Sequence, residues 1–267
     1  MNIILLRPEE IRSRVFSFVK TDERFRHIQK ILKLTKGSVF KAGIIDGEKG
    51  TAEITAFSDE QLTASFTAAE QPAPLPPIRL ILGFPRPIQL RRIVRDIAGL
   101  GIESLYLTGT ELGEKSYLQA EIAAETEVER LLIDGCSQAG ETRLPHVYRS
   151  HSLRHFFDRH EAEIRPEQVR CVLDVPASAE TGGSNDRQTA PPIVARPIRP
   201  LSQLRWNGRE PLWLAVGNER GWSDAERLLF AEKQFSAYSM GRRILRTETA
   251  VTSALAVCLA ASGIWEK

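Results

Sequence analysis

Two glycine-containing loops carry residue types that could hold a small molecule through the backbone. Residues 216–223 read VGNERGWS, and residues 240–250 read MGRRILRTETA. Because glycine has no Cβ, it adopts positive φ and lets the backbone approach a ligand closely. A flat heterocycle held by backbone N–H and C=O groups needs loops of this kind. Each glycine taken alone could equally serve only a tight turn.

The second loop is also rich in cations, since Arg242, Arg243 and Arg246 follow Gly241 within five residues. Packing three positive charges into one turn is costly unless they meet an anion or a nucleic acid. We therefore expect Arg243 to contact RNA.

A strand–helix alternation places both loops. Strands are predicted at residues 78–82, 104–108, 170–175, 212–216 and 236–240. Helices are predicted at residues 87–99, 121–139, 153–159, 223–232 and 248–261. This alternation predicts an α/β domain with a largely parallel sheet. Each glycine loop follows a strand and precedes a helix, and ligands of such sheets bind outside the carboxyl ends of the strands. The two loops are therefore predicted to form one site.

Two details locate the helices that follow the loops. Ser223 and Glu226 fit a capping box, so a helix begins directly after the first loop. In the last helix, one face carries apolar residues and is predicted to pack on the core. These residues are Val251, Ala254, Leu255, Cys258 and Leu259.

The N-terminal part has a different pattern. Short strands near residues 15–18, 38–45, 51–57 and 62–68, joined by tight turns, predict a small β-barrel in residues 1–71. Four prolines in residues 72–77 predict a stiff linker, and residues 78–267 form the second domain. Within that domain, the proline-rich residues 176–200 are expected to form a long excursion.

Residues 1–41 hold ten Lys or Arg against four acidic residues, although the whole chain carries a formal charge of only +2. Such a local excess can follow a phosphate backbone, and an ordinary solvated face is the alternative. A helix near residues 25–32 would project part of this charge. We expect RNA contacts from Arg24, Arg26, Lys30 and Lys33.

Several function classes lack support. The chain has no P-loop, no G-x-G-x-x-G and no G-x-S-x-G. His151 and His155 are four residues apart but belong to no metal-binding motif, so we expect no metal. The acidic side chains of residues 111–129 are expected on a solvated helix surface.

The composition also bounds the compartment. With 42% hydrophobic and 26% charged residues, the 267-residue chain has the composition of a globular protein. Its three cysteines show no CxxC spacing, which is typical of a reducing compartment. No apolar run is long enough for a membrane span. We expect a cytoplasmic protein that does not bind membranes.

Four stretches together resemble one enzyme family. Residues 241–250, GRRILRTETA, resemble the C-terminal signature of the SPOUT-class enzymes that methylate N3 of a uridine in small-subunit (16S) ribosomal RNA. Residues 27–34 followed by Gly37, residues 138–145 and residues 216–223 are similar to further family segments in the same order. The resemblance covers nearly the whole chain.

The resemblance implies a C-terminal α/β trefoil-knot domain with a mostly parallel sheet, preceded by a PUA-like β-barrel. It also implies S-adenosyl-L-methionine as cofactor, a homodimer, and ribosomal RNA or the small ribosomal subunit as partner. Arg246 would be the catalytic residue, stabilising a deprotonated uracil. The residues expected at the cofactor are Asp174, Val216, Gly217, Glu219, Gly221, Met240, Gly241, Ile244, Leu245 and Thr247.

Three departures from the family pattern are Asn218 in place of the usual proline, Arg220 in place of a glycine, and Glu141 in place of the usual arginine. Three alternatives therefore stay open. A SPOUT enzyme could methylate another position, such as a ribose 2′-hydroxyl. A non-catalytic paralogue could bind RNA in ribosome assembly. A scaffold that binds only proteins would leave the basic N-terminal segment unexplained.

Overall fold

The computed structural model describes residues 2–114, 116–117, 125–175 and 198–266. The chain divides into two compact units. The first comprises Met1–Leu75, Ile97–Gly101 and Glu129–Leu144, and the second comprises Pro76–Asp96, Ile102–Val128 and Pro145–Lys267. The first boundary thus falls inside the proline-rich segment 72–77. The predicted domain limits stay a proposal.

The first unit contains a five-stranded sheet. Its strands are β1 (Ile4–Leu6), β2 (Val15–Val19), β3 (Val39–Ile44), β4 (Lys49–Phe57) and β5 (Gln61–Glu70), in the spatial order β1-β3-β4-β5-β2. β1 pairs with β3 in parallel, and the other pairs are antiparallel. Strands alternate buried and exposed side chains, because one face of this sheet covers a core.

All five strands and one short helix supply that core. Helix α1 (Glu23–Arg26) begins at Asp22, whose side chain accepts a hydrogen bond from the backbone N–H of Arg24, and it continues as a π-helix at His27–Leu32. Phe25 and Ile28 are buried against Phe16, Phe18 and other strand residues. The helix predicted at residues 25–32 is therefore present, with a wider second half.

The second unit contains a seven-stranded sheet. Its strands are β6 (Ile78–Gly83), β7 (Ser104–Thr108), β8 (His146–Ser150), β9 (Val169–Leu173), β10 (Arg199–Pro200), β11 (Leu212–Val216) and β12 (Ser236–Ser239). Their order is β10-β12-β9-β11-β6-β7-β8, and every pair among the described residues is parallel. The chain builds outward from β6 to β8 and then returns to the other side, so a topological switch lies between β6 and β11.

Helices connect the strands, as parallel pairing requires. They are α2 (Pro87–Leu100), α3 (Glu125–Ala139), α4 (Leu153–His160), α5 (Asp224–Glu232) and α6 (Thr247–Ser262). The predicted capping box of Ser223 and Glu226 begins α5. In α6, the five residues predicted for the core face are all buried.

One apolar cluster binds α4 and α5 to the sheet. Phe156, Phe157 and Phe230 pack with the buried side chains of β11, including Trp213. Every residue of β11 is buried, because helices cover both faces of a central parallel strand. Its sequence is therefore a continuous apolar run.

The structure also contains three strands that were not predicted from the sequence. β1, β8 and the two-residue β10 were missed. β8 (HVYRS) lies at the edge of the sheet and exposes most of its side chains, so its sequence lacks a continuous apolar run. The predicted excursion at residues 176–200 falls largely outside the described residues.

Candidate cofactor groove and RNA-binding residues

Three neighbouring strands end at a shallow groove of about 110 Å³. β9, β11 and β12 lie side by side, and the segments that follow them line the groove. Nine of the ten residues predicted at the cofactor are among its lining: Asp174, Val216, Gly217, Gly221, Met240, Gly241, Ile244, Leu245 and Thr247. The two glycine loops therefore meet, together with a third wall from Leu173, Asp174 and Val175.

The backbone geometry requires glycine at this groove. A Cβ on Gly217 would lie 2.9 Å from Cα of Gly221, closer than packing allows. Gly221 and Gly241 have φ values of +71° and +101°, a region that disfavours side chains. The glycines thus allow the two ends of the first loop to approach closely and allow the positive φ values of both loops.

The side chain of Asn218 fixes the first loop. Its Oδ1 accepts a hydrogen bond from the backbone N–H of Arg220 at 2.9 Å, and its Nδ2 donates to Oγ1 of Thr110 at 2.8 Å. A Cβ on Gly83 would lie 2.8 Å from the backbone N of Asn218. The loop is therefore packed tightly against the segments that follow β6 and β7.

The third wall is held by an ion pair. The Asp174 carboxylate accepts hydrogen bonds from Nε and Nη2 of Arg227 at 2.7 and 3.1 Å, and its backbone N–H donates to the carbonyl of Tyr238. The hydrogen bond to Asp174 holds the pKa of Arg227 above its ordinary value, although burial opposes this shift. The pair ties α5 to the end of β9.

The other three predicted residues differ in their positions relative to the groove. Glu219 is outside the lining, and its Oε1 accepts a hydrogen bond from the backbone N–H of Arg86 at 2.9 Å. Arg243, predicted to contact RNA, lines the groove. Arg246 is exposed and occupies the N-cap position of α6, without a side-chain capping bond. The roles of these residues stay predictions.

The three departures from the family pattern all have partners in this chain. Asn218 bonds to Thr110, and Arg220 forms an ion pair with Glu114 at 3.0 Å. Glu141 pairs with Lys49 at 2.8 Å. The changes are therefore accommodated locally, and the folded loops are intact around them.

In the first unit, Arg24 is held by its own surroundings. Its guanidinium pairs with Glu10 at 2.6 Å and with Asp22 at 2.7 Å, donates to the carbonyl of Leu5, and lies 4.1 Å from the ring centroid of Phe18. Only about a fifth of its side chain is exposed. This geometry indicates that Arg24 stabilises the sheet, and its predicted RNA contact stays a prediction.

The other basic residues of this helix are more accessible. Arg26 is exposed and donates to the backbone carbonyls of Lys20 and Thr21. Lys30 and Lys33 are exposed, and neither forms an ion pair within the described part of the chain. Exposed Ile31 lies between them. These side chains can reach a phosphate without first breaking a salt bridge.

The other groups that could carry chemistry are a pair of histidines and three cysteines. The rings of His151 and His155 lie 4.1 Å apart, and burial together with His151 lowers the pKa of His155. Among the described residues, no group of three or more His, Cys, Asp or Glu could hold a metal ion. Cys136, Cys171 and Cys258 are free and buried, and burial raises the pKa of each thiol. Within the described ranges, no helix is long and apolar enough to cross a bilayer.

Comparison with known proteins decides the family. Residues 71–259 match the RNA methyltransferase domain, and residues 21–67 match the RNA methyltransferase PUA domain. The chain belongs to the RNA methyltransferase family. Along its full length it is 42% identical to the ribosomal RNA small subunit methyltransferase E of Treponema pallidum, covering 94% of that protein. It is 28% identical to a Borreliella burgdorferi relative of the same description, over 95% of both chains.

Solved structures confirm the fold. The structure of a Neisseria gonorrhoeae ribosomal RNA small subunit methyltransferase E bound to S-adenosyl methionine matches with a TM-score of 0.71 and 20% identity, over 97% of each chain. A Legionella pneumophila methyltransferase complex matches with a TM-score of 0.70 and 22% identity, also over 97% of each chain. The predicted PUA-like unit and the parallel α/β unit are thus confirmed. The threading of the knot stays a prediction.

A second cavity of this RNA methyltransferase was missed. It measures about 250 Å³ and lies at the carboxyl ends of β6, β7 and β8, lined by Phe84, Thr110, Glu111, His151, Leu153 and Glu226 among others. Glu111 and Glu114 therefore line a cavity rather than a helix surface. Strand β8 has no apolar run that would predict it. Without this strand, His151, which follows it, could not be placed beside the ends of β6 and β7.

Proposed function

We propose that this chain transfers the methyl group of S-adenosyl-L-methionine to N3 of a specific uridine in small-subunit ribosomal RNA. The observation that carries the proposal is the groove, where three separate segments bring nine predicted residues together beside adjacent strand ends. The relative with 42% identity along the whole chain, named for ribosomal RNA small subunit methylation, supports the choice of substrate.

The lining of this shallow, open groove suits contact with the adenosine part of the cofactor, which the groove would not enclose. Apolar Ile244 and Leu245 provide surface for a flat ring, and the glycine loops provide backbone donors and acceptors at close approach. Ile244 is 83% exposed, so a large apolar side chain stands available for covering a ligand. Bound there, S-adenosyl-L-methionine supplies an electrophilic methyl group.

The residues around the groove would act mainly by alignment. Attack of a uracil nitrogen on a methyl carbon needs the two atoms in line, and positioning supplies much of the acceleration of such reactions. The uracil must also lose its N3 proton. Arg246 at the start of α6 would stabilise the resulting negative charge, aided by the positive end of the helix. The base has to leave its stack to reach the cofactor.

RNA would be held by the first unit. Lys30 and Lys33, with Arg26 beside them, present positive charge that can contact phosphates. Such contacts position an RNA without reading its sequence. Arg243, in the lining of the groove, would meet the RNA near the reacting base.

Two further parts of the proposal concern the whole protein. We infer a homodimer, because the outward face of α6 carries small apolar residues, Ala256, Val257 and Ala260, that a second copy could cover. We also infer a cytoplasmic location, which the three unpaired thiols support. Cell fractionation would check it.

The central test is mass spectrometry of nucleosides from small-subunit ribosomal RNA. RNA from a strain lacking this protein is incubated with the purified chain and labelled S-adenosyl-L-methionine. We expect labelled 3-methyluridine with the wild type and at least a tenfold loss with Gly241→Trp, which fills the groove. Label in a 2′-O-methyl nucleoside would identify a ribose methyltransferase. No transfer to any RNA, despite RNA binding, would identify a non-catalytic assembly protein.

A further inference from the structure

The cavity at the ends of β6, β7 and β8 is separate from the groove but shares a wall with it. Thr110 lines the cavity, Asn218 lines the groove, and their side chains are hydrogen-bonded at 2.8 Å. Both sites lie at the carboxyl edge of one sheet, on the two sides of its topological switch, where α/β proteins bind ligands. A molecule in the cavity would thus be a neighbour of one in the groove.

The walls of the cavity suit a flat, uncharged ring. Phe84, Leu153 and Leu229 supply apolar surface, and Phe84 and Leu153 are almost fully buried in the protein. Ligand pockets for whole drug-sized molecules measure roughly 300–1,000 Å³, so a cavity of about 250 Å³ suits a smaller group such as one base. Its size therefore excludes a folded stretch of RNA.

The polar groups of the cavity disfavour phosphate inside it. Glu226 is buried and accepts hydrogen bonds from the backbone N–H groups of Ser223 and Glu111 at 2.9 and 3.0 Å. Glu111 in turn accepts a hydrogen bond from the Ser223 hydroxyl. These two acidic side chains lie at the lining, so an anionic phosphate inside the cavity is disfavoured.

The rim also carries groups that can recognise a nucleotide. The exposed ring of His151 has nitrogen atoms that can donate to or accept from a base. Arg154 is exposed at the lining and forms no ion pair among the described residues, which leaves it available to a phosphate outside the cavity. A nucleotide with its base inside the cavity and its phosphate outside, beside Arg154, would match this distribution of charge.

We propose that this cavity receives one unstacked pyrimidine base of the RNA substrate, next to the cofactor groove. The inference rests on the proposed function, because it identifies the occupant as part of the methylated RNA. It assigns binding roles to Phe84, His151 and Arg154.

The test uses one residue that lines the cavity and one that does not. Ala225 is exposed on α5 and lines the cavity, so Ala225→Phe fills it without entering the core. Leu228 is exposed on the same helix and lies outside the lining, so Leu228→Phe is the matched control. Thermal unfolding of both full-length variants verifies that they fold.

A short single-stranded RNA containing one 4-thiouridine is irradiated with each protein, and the adducts are located by mass spectrometry. We expect wild type and Leu228→Phe to carry adducts on peptides that contain residues 84, 151–154 or 225–229. Ala225→Phe should lose them, with at least a tenfold lower kcat/KM for RNA and unchanged affinity for S-adenosyl-L-methionine.

Absence of adducts from these peptides in the wild type, or their persistence in Ala225→Phe, would overturn the inference. This outcome is distinguishable from failure of the proposed function. Adducts in the cavity without methyl transfer would reject the proposed activity and keep the binding site. Methyl transfer with adducts only elsewhere would keep the activity and reject the binding site.

Discussion

At the scale of single residues, positive charges of the first unit divide into two classes. Arg24 is enclosed by Glu10, Asp22 and Phe18, while Lys30 and Lys33 are exposed. Burial alone would raise the pKa values of Glu10 and Asp22, but hydrogen bonds from Arg24 and from backbone N–H groups hold both below their ordinary values. The cluster therefore stabilises the fold in its ionised form.

We expect Arg24→Gln to lower the free energy of unfolding by about 2–4 kcal/mol, since it leaves two partly buried carboxylates without their partner. Because the pKa values of Glu10 and Asp22 are depressed, the contribution is present at neutral pH and is lost as pH falls through the folded pKa values. Urea unfolding at pH 7 and near pH 3 measures both effects. Equal destabilisation at the two pH values would contradict this account.

The matched comparison is Lys30→Gln with Lys33→Gln. Exposed side chains without partners contribute little to stability, so the double variant should unfold within about 0.5 kcal/mol of the wild type. It should instead weaken RNA binding and reduce the slope of log K against log salt by about 1.5, as expected for two phosphate contacts. An unchanged slope would remove these lysines from the RNA surface.

At the scale of elements, the loop after β11 is held by a side chain where the family pattern has proline. Proline restricts a loop by fixing φ, whereas Asn218 does so by two hydrogen bonds, one to the backbone of Arg220 and one to Thr110. The second bond also ties the groove to the neighbouring cavity.

We expect Asn218→Ala to raise the Kd for S-adenosyl-L-methionine by about 5–30-fold, which corresponds to the loss of one or two hydrogen bonds that order the loop. The control is Asn207→Ala, because Asn207 makes the same type of turn, accepting from Arg209 N–H at 3.0 Å, outside the lining of the groove. Calorimetric titration measures both. If both variants bind the cofactor like the wild type, the loop is ordered by its glycines alone.

At the scale of the whole molecule, α6 is apolar on more than the face that packs on the sheet. Such a helix is usually covered on several sides. Light scattering after size-exclusion chromatography should therefore give twice the mass of one chain. Ala260→Arg, at an exposed position of α6, should reduce the measured mass to that of one chain. Glu232→Arg, at an exposed position of α5, should leave the dimer intact. A monomeric wild type would refute the dimer proposal.

The sequence by itself determined the elements whose signals are local. Apolar runs located β6, β7, β9 and β11, the strand–helix alternation located β12, and capping residues located the start of α5. The glycines of the two loops, together with the signature in residues 241–250, indicated the groove that we propose for the cofactor. Each of these features depends on the backbone conformation of a few adjacent residues, so a short stretch of sequence is enough to predict it.

Only the tertiary structure decided which charges are free and which strands are neighbours. Asp22 is a local partner of Arg24, but the second partner, Glu10, is fourteen residues from Arg24 and is brought to it only by folding. The cavity needs β6, β7 and β8 to end side by side, and the polar edge strand β8 gave no apolar signal. Sites built from distant strand ends depend on long-range order, which the residue pattern along the chain does not contain.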